Sequence, residues 1–339
     1  MKYIAALALP FAALFAASAS LADEKPLFVY VTPNPLGVND FLKLGKLGTE
    51  RAAQALGADA KTYESSDPTT QRQNIEAAAK AGAKIVIAIG FEFSDMLPGV
   101  ATAYPNVQFL QIDNCPFDKM KPNIHCAVFR EYEGSFLTGA EAALTSKTGK
   151  VGAISALDIP FLHRYTDGFI EGAKHAKPDV KISPTLWIGG TPLTAFSDPA
   201  RGQERGAAMV ADGADRILAA GAGSNGGIFK AVQDGSGVNA FGVDVNQCPQ
   251  APGVVMDNVE KKTNVAVESA VKGIIAGSQP PIATLGLKEG GMSLVAFDPD
   301  VKASKCTIAD YPDVIEKVKA LRDEIVNGSI KIADPMMAK

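Results

Sequence analysis

The stretch that decides the fold is KIVIAIGFEFSDMLPGVATAYPNVQFLQID, from Lys84 to Asp113. It opens with an apolar run at 84–89 and closes with a second apolar run at 107–112, both typical of strands buried on two faces. The residues between them, 94–104, are predicted to be helical. A strand, a helix and a strand in this order predict a parallel pair joined by a right-handed crossover.

The same alternation extends in both directions along the chain. Residues 27–32 form another apolar run, and two helices are predicted before residue 84, at 44–56 and 68–81. After residue 134 the pattern restarts, so we predict an α/β protein with two Rossmann-like lobes, parallel sheets, a hinge and a cleft between the lobes. The remaining predicted elements are strands at 151–155, 181–187, 215–220, 240–243, 254–256 and 294–297, with helices at 134–145, 164–176, 199–212, 226–234, 262–276 and 312–327.

The first 22 residues, MKYIAALALPFAALFAASASLA, are typical of a secretory signal peptide. An uncleaved membrane helix is the alternative, but the apolar run is short for one. We therefore expect a periplasmic protein that is cut after residue 22. Residues 23–136 plus 253–283 are assigned to the N-terminal lobe, and residues 137–252 plus 284–339 to the C-terminal lobe.

Charge and cysteine content restrict the function further. The net charge is −4, which does not favour binding to nucleic acid. Four cysteines in an exported chain indicate two disulfides, for which the sequence allows three pairings. Their positions favour Cys115–Cys126 and Cys248–Cys306, whereas a zinc site would need tighter Cys/His clusters.

Candidate ligand contacts lie where predicted strands end, because ligands of open α/β sheets bind outside the carboxyl ends of the strands. Asp113 and Asp244 each follow such a strand. The segment 221–226, which includes Gly223, has the GxGxxG pattern of dinucleotide sites, but an exported protein meets little NAD. Its backbone N–H groups at a helix start are more suited to a polar ligand.

Aromatic residues are few, at 7% of the chain, and several fall at predicted strand ends or loops. Together they could line a stacking pocket for a planar ring. The candidates are Phe41, Phe91, Phe161, Trp187 and Phe196. No catalytic motif accompanies them, so no enzyme activity, cofactor or metal is expected. An exported nucleoside hydrolase that uses Asp113 and Asp244 is the alternative from another class.

Three segments resemble the basic membrane protein (BMP) family of ABC-transporter substrate-binding proteins. They are GFEFSD at 90–95, FREYEGSFLTG at 129–139 and GVDVNQ at 242–247. The resemblance spans about residues 27–280 and implies the type I periplasmic-binding-protein fold. It also implies a monomeric receptor for a purine nucleoside or nucleobase that delivers its ligand to an ABC permease. A sugar or autoinducer receptor on the same fold is the nearest alternative.

Carried over position by position, the resemblance implies that Asp244 and Lys261 hold ribose hydroxyls. It also implies that Phe41 stacks on the base, with Phe196 as the opposite wall. The family pattern Asp-x-x-Phe-Asn reads VNDFL at 38–42 here, so an aspartate is replaced by Val38 and an asparagine by Leu42. Neighbouring residues, Asn39 and Asp40, are then the candidates to supply polar contacts to the base instead.

Overall fold

The computed structural model describes residues 25–337, so the predicted signal peptide lies outside the described residues. None of the helices in this range is long and apolar enough to cross a membrane. The strands are β1 Leu27–Thr32, β2 Asp59–Glu64, β3 Ile85–Ile89, β4 Gln108–Ile112, β5 Ile124–Phe129, β6 Lys150–Ser155, β7 Lys181–Ile182, β8 Leu186–Trp187, β9 Arg216–Ala220, β10 Asn239–Asp244, β11 Val255–Lys261, β12 Ile282–Leu285 and β13 Met292–Leu294.

The helices alternate with these strands and cover their faces. They are α1 Asp40–Leu56, α2 Pro68–Lys80, α3 Leu97–Ala103, α4 Glu131–Thr145, α5 Pro160–Ala176, α6 Pro192–Ala195, α7 Pro199–Ala211, α8 Asn225–Asp234, α9 Thr263–Ala276 and α10 Pro312–Asn327.

The strands form two separate sheets, one in each lobe. The first has the order β12-β5-β4-β3-β1-β2, and all of its pairs are parallel. The second has the order β13-β11-β10-β9-β6-β7, with β8 also paired to β6. It is parallel except for the edge strand β13, which runs antiparallel to β11. The prediction of two parallel-sheet lobes is confirmed.

Individual elements differ from prediction, and strands β2, β5 and β12 are absent from the predicted elements. Strand β2, DAKTYE, was not predicted because it is an exposed edge strand and carries no apolar run. The segment predicted as one helix over 94–104 contains the shorter α3, which follows a 3-10 turn at Phe91–Phe93. The strand predicted over 181–187 is two short strands, β7 and β8.

The division into lobes needs two corrections. Residues 253–283 were assigned to the first lobe, yet β11 pairs with β10 and β13 in the second sheet. The chain returns to the first lobe only after Lys261, where α9 packs against α1. The predicted boundary at 136/137 also falls inside α4, a helix that packs along α5 of the second lobe. Three crossings therefore join the lobes, at the start of α4, the start of α9 and between β12 and β13.

Close packing of α4 on α5 explains Gly139 of the FREYEGSFLTG segment and Gly172 of α5. A Cβ atom at Gly139 would lie 1.9 Å from the carbonyl oxygen of Phe169, and one at Gly172 would lie 1.8 Å from that of Phe136. Both glycines are therefore required by the contact between the helix backbones. The segment supports the second lobe as well as the ligand site.

Both disulfides were predicted correctly. Cys115 is bonded to Cys126, and Cys248 is bonded to Cys306. The first closes the loop between β4 and β5. The second closes a 58-residue span that includes β11, α9 and β12. Because this span crosses between the lobes twice, the bond restrains both crossings.

Candidate functional site

A cavity lies between the carboxyl ends of the two sheets. It encloses about 560 Å³, part of which is open to solvent, a size typical of a small-molecule site. Its walls come from loops after β1, β3 and β4 in the first lobe and after β9 and β10 in the second, together with α1, α5 and Lys261. The lining residues are Pro33, Asn34, Asn39, Phe41, Leu42, Gly90, Phe91, Glu92, Asp113, Phe161, Leu162, Tyr165, Phe196, Ala220, Ala222, Val243, Asp244 and Lys261.

Two carboxylates face this cavity from opposite lobes, each from a strained backbone position. Asp113 follows β4 with a φ of +83°, and Asp244 ends β10 with a φ of +72°. Residues other than glycine rarely adopt this left-handed backbone conformation, and such strain is concentrated at functional sites. Both strand-end aspartates predicted from the sequence are therefore placed at the cavity.

Lys261 is the cation of the site and is held by two carboxylates. Its Nζ lies 2.5 Å from Oδ1 of Asp113 and 2.9 Å from Oε1 of Glu131. Because Lys261 ends a strand of the second sheet and Asp113 follows a strand of the first, the ion pair joins the lobes. Burial opposes the charge, but the two carboxylates outweigh it and hold the pKa of Lys261 well above its usual range.

Glu131 connects this ion pair to the surface of the second lobe. The Arg164 guanidinium lies 3.5 Å from Glu131 and donates to the Phe129 carbonyl oxygen at 3.1 Å. Arg164 also donates to both oxygens of Asp334, at 2.9 and 2.6 Å. Alternating charges thus run from Lys261 through Glu131 and Arg164 to Asp334 in the C-terminal segment. This network holds the Lys261 side chain in position at the cavity.

The negative charge of Asp244 is compensated less by nearby positive charge than that of Asp113, which is paired directly with Lys261. Burial raises the pKa of Asp244 to about 6, although Lys261 and a hydrogen bond from Tyr165 act in the other direction. The Tyr165 hydroxyl donates to Oδ1 of Asp244 at 3.3 Å. In the described part of the chain no other side chain donates to Asp244, so Oδ2 is available to a ligand hydroxyl.

Aromatic rings form the apolar wall of the cavity. The Phe91 ring centroid lies 6.2 Å from that of Phe161 and 6.4 Å from that of Phe196, within the range of aromatic pairs. The Lys261 ammonium lies 4.9 Å from the centroid of Phe41 and 5.5 Å from that of Phe161. The aromatic wall therefore lies directly beside the Lys261 ammonium.

The sequence matches one family of known proteins along most of its length. The profile described as "ABC transporter substrate-binding protein PnrA-like" (Bmp) matches residues 37–335. The chain belongs to the Bmp family. It is 30% identical over 283 residues to basic membrane protein A of Borreliella burgdorferi, with 81% of each chain covered. It is 27% identical over 290 residues to the ABC transporter nucleoside-binding protein BmpA of Lactococcus lactis, covering 80% of this chain and 77% of that protein.

Solved structures agree on the fold. An ABC transporter solute-binding protein from Aeropyrum pernix superposes with a TM-score of 0.77 at 24% identity, covering 91% of this chain and 94% of that one. A solute-binding protein from Conexibacter woesei superposes with a TM-score of 0.70 at 21% identity, covering 91% and 99%. These likenesses confirm the type I periplasmic-binding fold expected for a Bmp protein. A member of this family binds a small-molecule substrate for an ABC transporter.

Three residues predicted for the ligand site of this Bmp protein lie outside the cavity lining. Asp40 pairs with Lys43 on α1 and accepts a hydrogen bond from Gln250 of the second lobe at 3.0 Å, so it bridges the lobes instead. Trp187 packs against His163, with 5.2 Å between ring centroids. Gly223 allows a close approach between two backbone segments, because a Cβ atom at this position would lie 2.8 Å from the Phe196 carbonyl oxygen. Its neighbour Ala222 lines the cavity in its place.

The other predicted contacts lie together at the cavity: Asn39, Phe41, Phe91, Asp113, Phe161, Phe196, Asp244 and Lys261. Asn39 also caps α1 by accepting from the Leu42 N–H at 3.3 Å. Sequence reasoning missed Tyr165, Glu131 and Glu92. Tyr165 belongs to a helical turn without a distinctive pattern, whereas Glu131 and Glu92 stand out in the sequence only as parts of the segments FREYEGSFLTG and GFEFSD.

Proposed function

We propose that this protein is the periplasmic receptor of an ABC importer and that it binds a purine nucleoside or nucleobase. The observation that carries the proposal is the combination of aromatic walls and charged groups in one cavity. Phe41, Phe91, Phe161 and Phe196 provide flat apolar walls, while Asp244 and Lys261 provide polar groups. A flat ring attached to a polyhydroxyl group matches both features.

The charged groups suit a pair of vicinal hydroxyls. Oδ2 of Asp244 can accept a hydrogen bond from one hydroxyl, and the Lys261 ammonium, whose three N–H bonds are not all taken by Asp113 and Glu131, can donate to the other. The name of the Lactococcus lactis relative, a nucleoside-binding protein, supports the same ligand class.

The structure favours binding over hydrolysis. Of the two aspartates that the hydrolase alternative uses, Asp113 is ion-paired with Lys261, an arrangement that does not favour a general base. We therefore propose that the protein, acting as a monomer, closes on its ligand without altering it and presents it to the permease. We place this step in the periplasm, after removal of the predicted signal peptide.

The test is calorimetric titration of the mature chain, freed of co-purified ligand, with nucleosides, nucleobases and sugars. We expect Asp244→Asn to weaken nucleoside binding roughly 10- to 100-fold, because a charge-assisted hydrogen bond is worth about 1.5–3 kcal/mol. Asp234→Asn is the matched control, since Asp234 is an exposed residue paired with Lys230 on α8. Binding of sugars but no nucleoside, or release of free base, would refute the proposal.

A further inference from the structure

Most charged groups at the cavity are already committed to protein partners. Lys261 is held by Asp113 and Glu131, and Asp113 is held by Lys261. Asp244 accepts from Tyr165. Glu92 is the exception: among the described residues no cation pairs with its carboxyl, and the N–H that reaches it is its own. A ligand in the cavity therefore meets one carboxyl group that is not paired with another side chain of the described chain.

The local backbone holds Glu92 in this position. Glu92 lies in the 3-10 turn Phe91–Phe93, directly after the carboxyl end of β3. Its Oε2 lies above Gly90, where a Cβ atom would be 2.4 Å away, and Gly90 has a φ of +108°. Any side chain at Gly90 would expel the carboxyl, so the glycine makes room for it. Glu92 lines the same cavity as the adjacent Phe91, whose ring belongs to the aromatic wall.

The surroundings favour the uncharged form of this carboxyl. Burial raises the pKa of Glu92 to about 8, and the nearby negative charge of Asp113 adds to the effect. A neutral carboxylic acid offers one O–H donor and one carbonyl acceptor side by side, whereas a carboxylate offers acceptors only. The group is thus matched to a ligand edge that carries a donor next to an acceptor.

We propose that Glu92 selects the ring of the ligand by pairing, as a carboxylic acid, with a ring edge that presents an N–H donor beside an acceptor. The inference rests on the proposed nucleoside function and identifies the group that recognises the base. Adenosine presents an amino N–H beside a ring nitrogen, and inosine presents a ring N–H beside a carbonyl. Because the acid can be turned to fit either order, both are accepted.

The test compares adenosine, inosine and purine riboside, which lacks the group at ring position 6. The variants are Glu92→Gln, which keeps a donor and an acceptor but cannot ionise, and Glu92→Leu, which keeps neither. Glu76→Gln on the outer helix α2 is the matched control. The other titratable groups that line the cavity are Asp113, Asp244, Lys261 and Tyr165, and all are unchanged in these variants.

In calorimetry at pH 7 we expect the native protein to bind adenosine and inosine about tenfold more tightly than purine riboside. Glu92→Leu should abolish that preference, and Glu92→Gln should keep most of it. The native affinity for adenosine should fall about tenfold between pH 7 and pH 9, as Glu92 ionises, while Glu92→Gln stays flat.

Two results would overturn the inference in distinguishable ways. If nucleosides bind but the preference and the pH dependence are the same in the native protein and both variants, Glu92 does not select the ring, and the proposed function survives. If no nucleoside binds the native protein, both proposals fail together. If Glu92→Leu does not fold, the comparison of the native protein with Glu92→Gln between pH 7 and pH 9 still decides the question.

Discussion

Replacement of Lys261 by methionine is the sharpest test of how the two lobes are joined at the site. Lys261 is nearly fully buried, and its ammonium is shared by Asp113 at 2.5 Å and Glu131 at 2.9 Å. Lys261→Met removes the ammonium that both carboxylates share. Removal of one partner of a buried ion pair lowers the free energy of unfolding by about 3–5 kcal/mol. Arg164 still compensates Glu131, so most of this cost falls on Asp113.

The converse substitution should cost less. Asp113→Asn removes one carboxylate, but Lys261 keeps its interaction with Glu131, so the expected decrease in stability is about 2 kcal/mol. In the double variant the unpaired carboxylate at position 113 is gone. The decrease in the double variant should therefore be smaller than the sum of the two single decreases by about 2 kcal/mol.

Urea unfolding of the ligand-free protein at pH 7, followed by circular dichroism, measures all four free energies of unfolding. Lys261→Met should destabilise the protein more than Asp113→Asn, with a clear coupling between them. If the two effects add within about 0.5 kcal/mol, the ion pair across the lobes does not stabilise the protein and the reasoning is wrong. The exposed pair Lys230–Asp234 on α8 is the control, for which substitution should change stability by less than about 1 kcal/mol.

Three further outcomes are expected. Phe41→Ala should weaken adenosine binding tenfold or more while leaving any binding of free ribose unchanged, and equal weakening of both in calorimetry would contradict a stacking role. Removal of Cys248–Cys306 should lower the free energy of unfolding by about 4 kcal/mol, because the bond closes a 58-residue span, and a decrease below about 1 kcal/mol in urea would argue against it. Burial raises the pKa of Glu141 and of its neighbour Asp257, the latter to about 7, so the folded state binds more protons than the unfolded state and stability falls as the pH rises from about 4 to above 7. Glu141→Gln should flatten that decline in urea unfolding at pH 5 and pH 8, and parallel profiles would contradict the assignment.

The Glu141–Asp257 pair also shows where sequence position misleads. Asp257 follows the GVDVNQ segment and precedes Lys261, and no local pattern in the sequence marks it as a buried residue. In the structure it is fully buried and accepts hydrogen bonds from the backbone of Asn258 at 2.7 Å and of Ala296 at 3.2 Å. Strand β11, VMDNVEK, is buried along its whole length although more than half of its residues are polar. Each polar side chain needs partners from other elements, and a local pattern cannot reveal them.

The sequence by itself determined the two α/β units and the strand-end aspartates Asp113 and Asp244, and it favoured one of three possible pairings of the cysteines. These follow from local rules, since apolar runs, turn residues and loop lengths act over a few residues. Only the tertiary structure decided that β11 joins the second sheet and that Lys261 meets Asp113 and Glu131. It also decided that Asp40 and Trp187 lie outside the cavity while Glu92 lines it. Those outcomes depend on how the chain passes between the two lobes at its three crossings. The energy of a buried charge likewise depends on neighbours that are distant in sequence.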